Sequence, residues 1–376
     1  MPEPVQRALS EAEKLDWLRL IRSENVGPIT FFRLLERFGS AHAAIDALPE
    51  LARRGGAKAV DVCVPEAATA EMAALAATGA RLVAWGEPGY PAPLAAIDDP
   101  PPLITVLGDG RLLQRRSIAV VGARNASING QRFARTLARD LGEGGLVVVS
   151  GMARGIDAAA HEGALPTGTV AVLGGGIDVV YPKENAALYA KIRDGGALVS
   201  EVAPGTEPQA RHFPRRNRLI AGLSLGVVVV EASLRSGSLI TARLALEQGR
   251  EVFAVPGSAV DPRARGTNDL IRQGATLTET AEDVFRVVNE ATHIPLRERK
   301  DVDFAACSPP AASPDDTERA RDTIVARLSP TPVKVDEIIR SCHFSPAVVA
   351  GVLLELELAG RLERHPGNQV SLLNNL

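Results

Sequence analysis

The chain has 376 residues, of which 45% are hydrophobic and only 4% aromatic, and its formal net charge is −3. A chain of this length predicts two or three domains with largely aliphatic cores. No apolar run reaches about 18 residues and the first residues lack signal-peptide order, so we expect a cytoplasmic protein without a membrane span. The three cysteines, Cys63, Cys307 and Cys342, lie too far apart to indicate a disulfide framework or a metal site.

Residues 1–75 predict a small helical domain. The segment EAEKLDWLRLIRS brings Leu15, Leu18 and Ile21 to one face of a helix, and further helices follow the turn NVGP. A VGP turn before an amphipathic helix is typical of half of a helix-hairpin-helix, a module that can hold phosphates with backbone N–H groups. A plain helical bundle, such as a SAM-like domain, explains the same pattern, so both interpretations stay open.

Residues 76–292 predict an α/β domain. After a connection rich in proline and glycine at residues 85–110, short β-branched runs alternate with helical stretches. The runs are SIAVVG, GLVVVSG, TVAVLGGG, ALVSE, GVVVVEA and EVFAVPG. Because nearly continuous apolar strands of this kind are covered on both faces, we expect an extended Rossmann-like fold with a doubly wound parallel sheet.

The C-terminal part predicts a linker followed by a winged-helix-like domain. Residues 293–316 have little periodicity and several prolines and serines, which is typical of a linker. Residues 317–376 then read as three helices and a short hairpin. From Asp301 to Leu376 there are eleven acidic and seven basic residues, so this tail is acidic.

Glycine-bearing turns follow several predicted strands. The stretch SGMARGIDAAAH combines two glycines and an arginine, and VVGARNASINGQ, LGGGIDVVYPKEN and EASLRSGSLITA occupy similar positions. Carboxyl ends of parallel strands meet at one sheet edge, where ligands bind and helix N-termini attract anions. The first turn lacks the fingerprint G-x-G-x-x-G, and the chain has no G-x-x-x-x-G-K-[ST] loop. We therefore expect an anion at this edge but no nucleotide cofactor.

Arginines concentrate around these turns. Seven arginines and one acid lie from Arg111 to Asp140, and RHFPRRNR, from Arg211 to Arg218, has four arginines and no acid. Several guanidinium groups at one sheet edge favour a polyanion that passes across it over a single bound phosphate.

Each of these candidates also has a structural interpretation. Arg124 or Arg154 alone could pair with a carboxylate. We expect Asp157 to cap or pair locally and His161 to be a hydrogen-bonded structural group. Glu231, at a strand end, fits either a general acid or base or an ion-pair partner for an arginine.

Seven motifs occur in a fixed order between about Trp85 and Asp283. They are VVGARNASINGQ, SGMARGIDAAAHEGAL, AVLGGGIDVVYPKEN, LVSEVAPG, FPRRNRLIAGLS, VVVVEASLRSGSLITARLALEQGREVFAVPG and GTNDLIRQGA. Together they closely resemble the DNA-processing protein A family (DprA/Smf). The resemblance implies an extended Rossmann-like, non-enzymatic protein that binds and protects single-stranded DNA during natural transformation. It also implies that the protein helps to load the recombinase RecA and forms a homodimer.

The resemblance also implies which residues contact DNA. The side chains are Arg124, Arg154, Lys183, Arg216, Asn217 and Arg218, the backbone N–H groups are those of Gly151, Ala153 and Gly155, and Gly237 and Ser238 are further candidates. Affinity should be mainly electrostatic and weakly dependent on base sequence. Phe213 and Tyr181 lie beside the basic motifs and are candidates for base stacking, with simple packing as the alternative.

Two rival functions come from other classes. Related Rossmann-like proteins hydrolyse the N-glycosidic bond of nucleotides with a P-G-G-x-G-T-x-x-E arrangement, which this chain lacks; Glu247 lies far along the SGSLITARLALE segment instead. A sequence-specific regulator could act through the winged helix, but its acidic charge and the apolar segment SPAVVAGVLLELELAG argue against groove reading.

Overall fold

The computed structural model describes residues 7–293, 314–365 and 367–373. These residues form two compact units. One unit combines Ser10–Ala68 with the described part of Arg297–Leu376, and the other contains the described part of Thr69–Leu296. Most of the predicted linker, residues 294–313, lies outside the described residues, and the domain boundaries at 75, 292 and 316 stay predictions.

The N-terminal part folds into three helices, α1 (Glu11–Arg22), α2 (Pro28–Phe38) and α3 (Ala41–Arg54). Ser10 and Glu13 form a capping box at the start of α1. Pro28 is the first residue of α2, a position where its missing N–H removes no helical hydrogen bond. Trp17 and Phe31 meet edge to face in the core, with ring centroids 5.0 Å apart.

A nine-stranded sheet organises the second unit. Its strands are β1 (Arg81–Ala84), β2 (Leu103–Gly108), β3 (Ser117–Gly122), β4 (Val147–Ser150), β5 (Thr169–Val172), β6 (Ala197–Ser200), β7 (Gly226–Val230), β8 (Glu251–Ala254) and β9 (Thr276–Leu277). The six predicted runs coincide with β3 to β8, and the residues of β4, β5, β6 and β7 are all buried. The apolar runs are thus covered on both faces, as predicted.

The strand order is β1-β2-β6-β5-β4-β3-β7-β8-β9. The strands from β6 to β9 in this order pair in parallel, so the predicted doubly wound parallel sheet is confirmed. The region 85–110, which we predicted as a connection only, contains β2, and β2 pairs antiparallel with β6 and with β1. Its LITVLG segment is apolar enough to extend the sheet on that side. The order reverses between β3 and β7, which marks the expected ligand edge.

Helices cover this sheet. They are α4 (Pro65–Ala77), α5 (Ala92–Ala95), α6 (Ile128–Glu143), α7 (Ile156–Ala164), α8 (Ala186–Gly195), α9 (His212–Leu223), α10 (Gly237–Glu247), α11 (Arg265–Arg272) and α12 (Ala281–His293). The central core is aliphatic: Ile118, Val148 and Val228 of the sheet pack with Leu137 and Leu141 of α6. Among the described residues, no helix combines the length and the apolar character that crossing a membrane requires.

The C-terminal part forms the predicted winged helix. Its helices are α13 (Pro314–Arg327), α14 (Val335–Cys342) and α15 (Pro346–Leu358), and its strands are β10 (Val333–Lys334), β11 (Leu362–His365) and β12 (Gln369–Leu372). The hairpin strands β11 and β12 pair antiparallel, and β10 adds to the other side of β12. Val349, Val352, Leu353 and Leu356 of α15 are fully buried, so this helix is apolar because it packs on protein.

Candidate functional site

The glycine-bearing turns come together at the carboxyl edge of the sheet, as the topology requires. A cavity of about 390 Å³ opens there, and five of the predicted residues line it: Arg124, Gly151, Ala153, Arg154 and Arg216. We call it the strand-end cavity. A larger hollow of about 830 Å³ adjoins it and adds three more, Asn217, Gly237 and Ser238. We call this second space the α10 hollow. Gly155, Lys183 and Arg218 line neither space.

Arg216 places a positive charge in the wall of the strand-end cavity. Its Nη1 donates hydrogen bonds to the carbonyl oxygens of Gly151 and, at 2.7 Å, of Val172, which ties α9 to the ends of β4 and β5. Burial lowers the pKa of Arg216 to about 10, so the guanidinium stays protonated at neutral pH. Its buried Nε has no hydrogen-bond partner among the described residues. A Cβ at position 151 would overlap this guanidinium, so Gly151 leaves room for Arg216.

Arg124 lies exposed at the cavity mouth. Its guanidinium is 5.1 Å from the centre of the Phe213 ring, and the guanidinium of Arg216 is 6.0 Å from the same centre. The ring of Tyr181 lies 5.7 Å from that of Phe213, at an interplanar angle of 39°. Within the described ranges, Arg124 has no ion pair with a carboxylate. The cavity therefore combines two cations with two aromatic rings.

Arg154 and Lys183 lie at the rim. Arg154 forms an ion pair with Glu184, and both side chains are more than half exposed. An exposed pair of this kind contributes little free energy, so it does not fix Arg154 to Glu184. Lys183, the neighbour of Glu184, is exposed but does not line the cavity.

Asp157 holds the second turn together. Its Oδ2 accepts hydrogen bonds from the backbone N–H groups of Gly151, at 3.1 Å, and Ala153, at 3.3 Å. Burial raises the pKa of this carboxyl, with the nearby charge of Arg216 acting in the opposite direction. The two amides that we predicted for a phosphate are thus already paired with an internal carboxylate. Gly155 has a φ of +76° and packs on the backbone of the first turn.

Glu231 fills the anion position at the start of α6. It accepts hydrogen bonds from the backbone N–H of Ser127, at 2.8 Å, and from the Ser127 hydroxyl. Ser127 Oγ in turn accepts from the N–H of Gly130 at 2.9 Å and caps the helix. We considered two roles for Glu231, a general acid or base and an ion-pair partner for an arginine. The geometry matches neither role, because the carboxylate is a capping group for α6.

Arg218, which we predicted as a DNA contact, has partners within the protein in this structure. Its Nη1 donates to the carbonyl oxygen of Asp99 at 2.6 Å, its Nη2 pairs with Glu201, and its Nε lies 3.4 Å from Asp99 Oδ2. The arginine side chain is 10% exposed. Arg218 therefore crosslinks α9 to the segments before β2 and after β6, away from both spaces.

The α10 hollow continues the cavity toward the N-terminus of α10. Asn217 donates to the carbonyl oxygen of Gly237 at 3.4 Å, and the hydroxyls of Ser236 and Ser238 lie 2.7 Å apart. Arg263 also lines this hollow, although its guanidinium pairs with Asp261. We did not single out Arg263 in the sequence, because it lies outside the glycine-bearing turns that guided the choice.

His161 is a structural residue, as predicted. Thr169 Oγ1 donates to the carbonyl oxygen of Val148 at 2.7 Å, so it accepts from His161 Nδ1 at 2.8 Å. Burial, with a smaller contribution from the charge of Arg216, lowers the pKa of His161 to about 3. The imidazole is neutral at physiological pH and has no access to solvent.

Comparison with known proteins follows the same division of the chain. A family model described as DNA recombination-mediator protein A matches residues 81–289. A model described as a DprA-like N-terminal HHH domain matches residues 11–74, and one described as a DprA winged helix domain matches residues 308–368. The first model alone covers more than half of the chain.

Individual relatives agree with these matches. Protein Smf of Escherichia coli strain K12 is 41% identical over 288 residues, which are 75% of each chain. The X-ray structure of DNA processing protein A from Streptococcus pneumoniae is 35% identical, with a TM-score of 0.62, over 74% of this chain and 98% of that one. DNA processing protein A from Helicobacter pylori, described structurally for its single-stranded DNA binding mode, is 30% identical, with a TM-score of 0.52, over 56% of this chain and 96% of that one. The chain belongs to the DNA recombination-mediator protein A family.

Proposed function

We propose that this protein binds single-stranded DNA at the strand-end cavity, with guanidinium groups on phosphates and aromatic rings against bases. One observation carries the proposal: Arg124 and Arg216 converge on the ring of Phe213, and Tyr181 lies beside that ring. Two cations and two rings in one cavity suit a charged backbone that carries flat bases. The single-stranded DNA binding mode described for the Helicobacter pylori relative supports this proposal.

The geometry of the strand-end cavity favours single-stranded over duplex DNA. The rings of Phe213, in the first turn of α9, and of Tyr181 line a cavity of about 390 Å³. A base reaches such rings only when it is unpaired and unstacked, and extrusion from a duplex costs a few kcal/mol. We expect a single strand to bind more tightly than a duplex of the same length.

The bound strand would extend beyond the cavity. Arg154 and Lys183 at the rim supply further positive charge, while Asn217, Gly237 and Ser238 in the α10 hollow supply polar groups for a neighbouring nucleotide. We retain Gly155 for the backbone geometry of its turn. Arg218, Gly151 and Ala153 are omitted from the direct contacts because their polar groups already have internal partners.

Fluorescence anisotropy with labelled single-stranded and duplex oligonucleotides over a salt series tests this proposal. Arg124→Ala should weaken single-strand binding for unrelated base sequences and reduce the magnitude of the log–log salt slope by about 0.7, the value per phosphate. Phe213→Leu should weaken binding about fivefold or more with little change in this slope, because stacking involves no counterion release.

Arg193→Ala is the matched control. Arg193 is exposed in the last turn of α8, a helix that runs back from the cavity edge, and it pairs with Asp194. This variant should bind like the wild type. Equal binding of duplex and single strand, or equal losses from Arg124→Ala and Arg193→Ala, would contradict a specific site at the strand-end cavity.

We extend the proposal to the wider role that the family resemblance implies. The protein would protect incoming single strands during natural transformation, transfer them to the RecA recombinase and work as a cytoplasmic homodimer. The family description as a recombination mediator supports the transfer step. Sedimentation of the purified chain tests the dimer, and RecA filament formation on pre-bound single strands tests the transfer.

We propose a non-enzymatic role, and the carboxylates at the sheet edge support it. Glu231 is occupied as a capping group, and Glu247 lies at the end of α10, where it pairs with Arg243 at 3.6 Å. Neither is a free carboxylate beside the cavity that could attack a glycosidic bond. Incubation with nucleoside monophosphates should release no free base, and release that is lost in Glu231→Gln would support the rival hydrolase.

A further inference from the structure

The helical domain and the winged helix meet within one compact unit. On the helical side the contact involves the hairpin residue Asn25, helix α2 and the end of α3. On the other side it involves the end of α15 and the residues that follow it. Asn25 Nδ2 donates to the carbonyl oxygen of Leu358 at 3.1 Å, and Arg361 Nη1 donates to that of Gly55 at 3.3 Å.

Glu357 of α15 is the charged centre of this contact. Its Oε1 accepts a hydrogen bond from Thr30 Oγ1 at 2.6 Å, and its Oε2 accepts one from Arg364 Nε at 2.7 Å. Thr30 is fully buried, and the side chain of Glu357 is 14% exposed. The carboxylate also attracts Arg33, the residue one turn further along α2.

Two arginines surround Glu357, Arg364 of β11 and Arg33 of α2, and Glu36 of α2 also attracts Arg33. Arg364 is 9% exposed, and its Nη2 has no hydrogen-bond partner among the described residues; the same holds for Nη1 of Arg33. Burial and the charge of Arg364 both lower the pKa of Arg33. Arg364 belongs to the winged helix itself, so on the helical side the unused N–H donor of Arg33 is the group that can serve an anion with more acceptor oxygens, such as a phosphate.

Thr30 lies in the first turn of α2, where a helix attracts anions. Thr30 is the third residue of α2, and α2 begins after Gly27 without a side-chain cap. The first turn of an 11-residue helix attracts anions through its N–H groups and its dipole. In a helix-hairpin-helix, this turn and the preceding hairpin are the elements expected to meet a DNA phosphate. Glu357 lies against that turn.

We propose that Glu357 imitates a DNA phosphate and that the winged helix thereby masks a second DNA-binding surface, formed by the Asn25 hairpin and the first turn of α2. When the contact opens, DNA backbone phosphate replaces Glu357 beside Thr30 and Arg33. The winged helix acts here through its apolar helix and its carboxylate as an internal competitor. This surface is separate from the strand-end cavity, so the proposal stands or falls independently of the proposed function.

The test uses the full chain with Arg124→Ala in every variant and a fluorescent blunt-ended duplex as the probe. Glu357→Gln keeps the shape of the side chain and removes its charge, and we expect duplex binding about fivefold tighter. Gly55→Trp opens the same contact sterically, because a side chain there meets the backbone of Glu355 and the side chain of Ala359. It should tighten binding at least as much.

Two matched controls separate masking from general effects. Glu363→Gln removes the same charge from an exposed position on β11, and Gly351→Trp adds the same bulk on α15 where nothing lies within 4 Å. Both should change duplex affinity less than about twofold. Hydrogen exchange in α2 reports whether the contact has opened.

The outcomes are decisive in each case. Tighter duplex binding by Glu357→Gln, absent from Glu363→Gln and reversed by adding Arg33→Ala, supports the proposal. Unchanged binding with faster exchange in α2 overturns it, because the surface would be open and still inactive. Unchanged binding with unchanged exchange in Glu357→Gln also overturns it, because the carboxylate would not hold the contact. If Gly55→Trp unfolds the helical domain, Glu357→Gln decides.

Discussion

The carboxylate of Glu231 accepts a hydrogen bond from the backbone N–H of Ser127 at 2.8 Å, at the point where the strand order reverses between β3 and β7. In a dinucleotide-binding fold a pyrophosphate occupies the N-terminus of the helix that follows the first strand. Here a side chain supplies the negative charge, and Asp157 does the same for the turn before α7. We therefore expect an external anion to bind beside these two positions, where Arg124 and Arg216 meet Phe213.

We expect Glu231→Gln to lower the free energy of unfolding by about 1 kcal/mol, because a neutral amide is a weaker partner for a helix N-terminus. Single-strand affinity of the folded protein should stay within about twofold. Chemical denaturation and anisotropy measure the two effects. The control is Glu247→Gln, whose carboxylate lies at the C-terminal end of α10 and pairs with Arg243 one turn earlier. A large loss of DNA binding without a loss of stability would show that Glu231 faces the ligand.

Arg218→Met should destabilise the protein without a direct effect on DNA. The change removes the guanidinium that lies between Asp99 and Glu201, and Glu201 is only 18% exposed. We expect a loss of about 2 kcal/mol, between the values for exposed and buried ion pairs. Thermal melting detects this loss, and anisotropy below the melting transition should show near-normal single-strand binding. A variant that is stable but binds single strands weakly would indicate that Arg218 contacts DNA directly.

Glu184→Gln should strengthen single-strand binding about twofold to threefold at low salt, because it frees Arg154 from an exposed ion pair. The matched control is Glu162→Gln, which breaks a similarly exposed pair with Arg135 away from the cavity. Both changes remove one negative charge, so a general electrostatic effect would appear in both. Equal gains in the two variants would argue against a role for Arg154 at the cavity.

The stability of the protein should depend on His161 below neutral pH. The folded pKa of His161 is about 3, and the ordinary value is 6.5. Between these two values the unfolded chain binds the additional proton, so the free energy of unfolding falls as the pH drops below 6.5. The slope for one proton is about 1.4 kcal/mol per pH unit, and it disappears below the folded pKa.

His161→Asn removes this titration and keeps a hydrogen-bonding group near Thr169. Its free energy of unfolding should be lower than that of the wild type at pH 7 but should change less between pH 6.5 and 5. Urea denaturation at a series of pH values measures both slopes. Identical slopes in the two proteins would assign the pH dependence to other groups.

Much of the fold was determined by the sequence alone. The runs SIAVVG, GVVVVEA and EVFAVPG became β3, β7 and β8, because β-branched residues between glycine-bearing turns specify short buried strands locally. The winged helix was predictable from the sequence in the same way. The convergence of the turns was also predictable, because the carboxyl ends of parallel strands meet at one sheet edge. Strand β2 was not predictable in this way, because its LITVLG run lies among the prolines and glycines of residues 85–110, which indicated a connection.

Only the tertiary structure decided which basic residues line the strand-end cavity. Arg216, Asn217 and Arg218 are consecutive in α9, and consecutive side chains on a helix point about 100° apart. One therefore reaches the strand-end cavity, one the α10 hollow and one the carboxylates of Asp99 and Glu201. The motif RRNR reads as a single basic cluster, but Asp99 lies more than a hundred residues earlier in the chain. Partners at such separations leave no local pattern, because folding alone brings them together.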